Sequence, residues 1–157
     1  MFTHSPVTLD RIERCYQTAT ERLLSERTGE GHWEGELSTS ALSTATAVMA
    51  LQMVEQHGNS SRAEFGRLIA DGLQWLADHQ NEDGGWGDTV KSLSNISTTM
   101  LAHAVFHATG TADDYAVTVA AAQEYIDAAG GVPAVIARYG KAKTFSVPLL
   151  THCAFAG

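Results

Sequence analysis

The chain has 157 residues, 44% of them hydrophobic, with a formal net charge of −8 and ten Lys+Arg. That much apolar content is enough for one buried core and so for a single domain over residues 1–157, while so few cations leave no electropositive face for a phosphate backbone, which excludes nucleic acid as a partner. The two cysteines, Cys15 and Cys153, are too few for a disulfide framework and too far apart in sequence for a zinc site, so a reducing, cytoplasmic setting with no metal and no cofactor is expected.

Taken in chain order, the elements read as helices. The opening residues lack the apolar core of a signal peptide, and no later stretch reaches the ~18 uninterrupted apolar residues of a membrane span. Pro6 and Thr8 stand ahead of Leu9, Ile12, Tyr16, Ala19 and Leu23, whose three- and four-residue spacing predicts a first amphipathic helix. A Gly-rich turn follows at 29–36. Leu42, Ala45, Met49 and Met53 mark a second helix. The pattern Ser61-Arg62-Ala63-Glu64 is a capping box, and it introduces a third helix carrying Phe65, Leu68, Gly72, Leu73 and Leu76. After a second turn at 81–88 come a fourth stripe, Leu93, Ile96, Met100 and Ala104, and a fifth, Tyr115, Val119, Ala122 and Ile126. A third turn at 129–133 leads to a C-terminal helix. No segment alternates as a strand does, so the fold class is all-α.

The turns repeat. Leu23-Leu24 leads into Glu30-Gly31-His32-Trp33, and Leu76-Ala77 leads into Asp83-Gly84-Gly85-Trp86, with the tryptophans 53 residues apart. A Ser/Thr-rich helix start follows each. A degenerate third copy runs from Asp113 to Gly131 and keeps the turn without the tryptophan. Helical hairpins that recur bury their apolar faces on one another, which predicts a solenoid or a closed α/α toroid.

In the best-marked copy, a Gln near a helix C-terminus can bond the free carbonyls there, glycines permit the turn, and Trp lays a large ring over the junction. Gln80, Gly84, Gly85 and Trp86 resemble the QW motif of squalene and oxidosqualene cyclases, the class II terpene cyclases. In the first copy Gly31 and Trp33 fit the pattern, but Arg27 stands in place of the Gln, which is expected to weaken that clamp. Residues 128–132, 138–140 and 144–148 also resemble squalene-cyclase-like proteins. The resemblance implies the N-terminal portion of such a protein, a partial α/α barrel, and a squalene-like polyprenyl substrate for the full-length protein. It also implies that catalysis lies elsewhere. The family's acid is the middle Asp of D-x-D-D, and no such motif occurs here; a scaffold role, inactive alone, is expected. Two alternatives share the scaffold: a helical-repeat interaction module, or a toroidal enzyme of prenyl transfer or glycoside hydrolysis.

Other residues invite sharper readings. Trp33, Trp75 and Trp86 are read as packing residues, with Trp75, Tyr139 and Phe145 the candidates for contact with a cavity or ligand. His103 and His107 have helical spacing for a metal, but no Glu follows His103 and no third ligand is evident. His152-Cys153 lacks the spacing of a prenyltransferase zinc site. Arg138, Lys141 and Lys143 are expected to form a solvated loop, and Glu30, Glu34, Glu36, Glu82, Asp83 and Asp88 to solvate the turns. The apolar run from Phe145 to Phe155 is expected to need a partner surface, a homodimer being one answer. With no basic amphipathic helix, membrane contact by this segment is not expected, although a full-length protein could be membrane-peripheral.

Overall fold

The computed structural model of the chain describes residues 7–34, 38–57, 65–140 and 144–157. Among them are seven α-helices: α1 (Leu9–Ser25), α2 (Ala41–His57), α3 (Gly66–Asp78), α4 (Ile96–Ala108), α5 (Ala116–Ala129), α6 (Gly131–Arg138) and α7 (Ser146–Ala154). The extended pairing among the described residues is an isolated bridge between Arg27 and Trp33. The fold is all-α, as the periodicity predicts. The capping box at 61–64 lies outside the described residues, as do Glu36, Lys141 and Lys143.

The chain divides into two compact units, residues 1–37 and 38–157. In the first, the α1 N-cap is Thr8, whose extended backbone (φ −102°, ψ 157°) lets its hydroxyl accept from the Arg11 N–H at 3.4 Å. Asp10 in the first turn and Arg22 in the last complement the helix dipole. The apolar stripe of α1 is on the surface: Leu9, Ile12, Tyr16 and Leu23 are all exposed.

In the second unit α4 is the hub, with α2, α3, α5, α6 and α7 all packed against it. It carries no Asp, Glu, Lys or Arg, and Leu101, Val105 and Phe106 are buried together with the small hydroxyl residues Ser97, Thr98 and Thr99, while His103 and His107 mark a polar face. Each neighbour offers one stripe. From α2 come Ala41, Ala45, Val48 and Met49, from α3 Ile69, Leu73 and Leu76, and from α5 Ala122 and Ile126. Each large apolar side chain so buried contributes about 1.5–3 kcal/mol.

Two boundaries differ from the sequence reading. The fourth helix starts at Ile96, and Leu93 is 91% exposed, because Asn95 (φ −139°, ψ 151°) caps it by accepting from the Thr98 N–H at 3.0 Å. The C-terminal region forms two helices, since the α6 backbone stops at Arg138 and Gly140 then takes a left-handed φ of 57°. At 129–133 the turn is reduced to Gly130 (φ 97°), which ends α5 and leads directly into α6. Part of the C-terminal apolar run already has its partner: α7 lies on α4 and buries Leu149 and His152, while Phe145, Val147 and Phe155 stay exposed.

Candidate functional site

The 81–88 turn is built from both its flanks. Asn81 N–H donates to the Gly85 carbonyl and Gly84 N–H to the Asn81 carbonyl, both at 2.9 Å, and Gly84 closes the loop with φ 81°. Trp86 is 1% exposed, with its ring 6.5 Å from that of Phe106. Its indole N–H donates to the Leu76 carbonyl at 2.9 Å, a carbonyl at the end of α3 that also accepts from the His79 N–H at 3.3 Å. Gln80 does something else. Its amide donates to the Gly84 carbonyl at 2.8 Å and to the Thr118 carbonyl of α5 at 2.9 Å. The roles expected from sequence are thus exchanged: Trp86 caps the helix, and Gln80 ties the turn to the following hairpin. A Cβ on Gly84 would lie 2.5 Å from the Ala121 carbonyl oxygen, so a side chain has no room where the turn meets α5.

A polar network holds the other flank. The Asp83 carboxylate accepts from the Gly85 N–H at 3.1 Å and the Ser94 hydroxyl at 2.6 Å. Asp88 accepts from the Thr98 hydroxyl at 2.6 Å and the Asn95 amide at 2.9 Å, and these two bonds hold its carboxyl below the usual range. Both carboxylates brace the turn where sequence reasoning had them solvating it, because the Ser/Thr-rich start of α4 points its donors at them. Thr99 completes the set, its hydroxyl accepting from the Trp86 N–H at 3.0 Å. That serine/threonine run was the available signal for these partners.

The first turn has the same geometry. Trp33 Nε1 donates to the Leu23 carbonyl at 2.6 Å, Thr28 N–H to the His32 carbonyl at 2.8 Å, and Gly31 has φ 89°. Each of these matches its counterpart at an offset of 53 residues. So does Arg27, whose Nε donates to the Gly31 carbonyl at 2.8 Å as Gln80 does to Gly84, with its guanidinium 5.6 Å from the Trp33 ring. Arg27 therefore keeps the bond inside the turn that it was expected to weaken. The contrast is exposure, since Trp33 is 48% exposed and Trp86 buried.

Residues 16–139 match the sequence profile of the squalene-hopene cyclase N-terminal domain. The chain belongs to that family. Squalene-hopene cyclase N-terminal domains form α/α toroids, in keeping with the all-α hairpins seen here. A search of the solved structures finds no significant match.

Of the three candidate contact residues in this squalene-hopene cyclase N-terminal domain, two come together. Tyr139 and Phe145, ring centroids 5.9 Å apart, line a pocket of about 240 Å³ with Leu42, Leu101, Leu149 and His152. Trp75 lies apart from them on α3, stacked on His79 with centroids 4.1 Å apart. The Nε2 atoms of His103 and His107 are 3.3 Å apart, and among the described residues no group of three metal-ligating side chains converges. Burial pushes the Cys153 thiol up to about 11, and its Sγ donates to the Met100 carbonyl at 3.8 Å. A thiol so held stays protonated at neutral pH.

Proposed function

We propose that this domain serves as scaffold in a squalene-cyclase-like protein that cyclises a polyprenyl hydrocarbon, and that it catalyses nothing by itself. The duplicated indole-to-carbonyl clamp supports the scaffold role, since both copies spend their distinctive side chains on joining helices. Cyclisation of this kind begins with protonation of an alkene or epoxide by a strong carboxylic acid in a dry cavity. Two carboxylates of the buried clamp's turn, Asp83 and Asp88, are occupied as acceptors for serine, threonine, asparagine and backbone donors, and the chain has no D-x-D-D motif. No helix among the described residues is long and apolar enough to cross a membrane.

The test is to incubate the purified chain with detergent-dispersed squalene and analyse the extract by gas chromatography with mass detection. Squalene is expected back unchanged. Any polycyclic product dependent on the chain would sink the scaffold reading. A second arm grafts the chain in place of the N-terminal domain of an active squalene-hopene cyclase, where cyclisation should be retained and should be lost on Gly84→Val.

A further inference from the structure

We propose that His103 and His107, one turn apart on α4, chelate a zinc ion through their two Nε2 atoms. This does not depend on the scaffold reading. Residues four apart on a helix are neighbours on one face, and the two rings lie with centroids 4.6 Å apart and planes at 50°. Their Nε2 atoms approach to 3.3 Å. Two Zn–N bonds of about 2.0–2.1 Å that meet at a tetrahedral angle set their nitrogens about 3.3–3.4 Å apart. The separation is therefore already that of a chelate, and a cation asks for small ring adjustments rather than a rearrangement. A shared proton is the competing account. An N–H donor bond ordinarily runs about 2.7–3.2 Å, so a contact of 3.3 Å between neutral rings is a weak one for a cation to replace.

The surroundings suit a cation. Burial first, and His107 second, lower the pKa of His103, which favours the neutral ring that ligates metal. The Asp127 carboxylate on α5 acts on His103 in the opposite sense, and the same negative charge favours a cation held at the ring. The backbone beneath is fixed, because α4 is the hub of its unit and Ala102, Ala104 and Phe106 beside the pair are buried. Access is open, since His107 is exposed and both residues border a cavity of about 420 Å³ shared with Gln123 and Ile126. Cys153 borders the same cavity, but its thiol stays protonated and donates to the Met100 carbonyl. Two positions of the tetrahedron are therefore left to water, and binding is reversible and weaker than in a closed four-ligand site. Imidazole nitrogen excludes magnesium and calcium, which take oxygen, and the tetrahedral spacing points to zinc. A square-planar cation would need nitrogens about 2.8–3.0 Å apart.

The probe is zinc chloride, added to the metal-free chain at about pH 7.5, where histidine is neutral. Titration is followed by long-range ¹H–¹⁵N correlation of the imidazoles, with the other histidines as internal reference. Zinc should shift Nε2 of His103 and of His107 on one shared saturation curve, before any other imidazole responds, and EDTA should reverse the shift. Magnesium should leave both rings where they are. His103→Gln and His107→Gln should each weaken zinc binding about a hundredfold, because the surviving ligand loses the effective concentration of its partner. The proposal is overturned if millimolar zinc moves neither ring or one alone, if another imidazole titrates first, or if His107→Gln binds zinc as wild type does. Should His103→Gln fail to fold, the wild-type ring shifts and the exposed His107→Gln still decide the matter.

Discussion

Trp33 and Trp86 make the same hydrogen bond in different surroundings, so equal substitutions should have unequal effects. Trp86→Phe leaves the Leu76 carbonyl with only the longer bond from the His79 N–H and opens a void beside Phe106, which should cost about 2–4 kcal/mol. Trp33→Phe should cost about 1 kcal/mol or less, since water can reach the Leu23 carbonyl beside a half-exposed ring. Urea denaturation of the two variants gives the comparison. Acid should act through the histidines. Burial lowers the pKa of both His103 and His152 from 6.5, with His107 adding to the shift at His103. Below pH 6.5 the unfolded chain therefore binds protons the folded one refuses, so the stability these groups lend is present above that value and is lost as pH falls through their folded values. Melting temperature should drop from pH 7 to pH 5, and His103→Gln should flatten the slope; an unchanged slope would mean that His103 is not protected. Part of this was legible from sequence. The 53-residue spacing of the tryptophans is visible in the chain, but the partner of Gln80 is a carbonyl 38 residues away, and local reasoning could not tell which helix crosses that turn. His152 and Cys153 invited reading as a pair because they are adjacent in sequence, yet the two line different pockets.

Among the elements, α4 was the easiest to read and the easiest to misplace. Its apolar spacing marked a helix, yet Leu93 continued the stripe three residues too far because periodicity does not register a cap, whereas Asn95 three residues before Thr98 does. That cap has two duties, one to the helix and one to Asp88. Asn95→Ala should destabilise the domain by about 1–2 kcal/mol, and it should also let the Asp88 carboxyl rise toward its ordinary 3.8, because one of the two bonds lowering it is gone. Carboxyl carbon chemical shifts followed against pH would show this; an Asp88 titration identical to wild type would remove Asn95 from the network. The split of the C-terminal region into α6 and α7 was less legible, since Gly140 lies within an otherwise continuous helical composition.

At the scale of the whole molecule, exposed apolar side chains remain on both units, among them Leu9, Ile12 and Tyr16 on α1 and Phe145, Val147 and Phe155 around α7. A net charge of −8 opposes loose association, so pairing has to be specific to occur. If the C-terminal residues pair with a second copy, the melting temperature should climb across a hundredfold range of protein concentration and Phe155→Glu should remove the climb. A melt independent of concentration would leave that surface for other use.

Arg27 closes its turn on a carbonyl four residues away, whereas Gln80 reaches both a carbonyl four residues away and one in α5. The first clamp can snap shut as soon as its own residues meet, on the timescale of local chain motion. The second is complete only when a later stretch of polypeptide has come into place. Two turns of nearly identical shape therefore belong to different moments in the birth of the molecule, one during the first helix and the other after the fifth has been made.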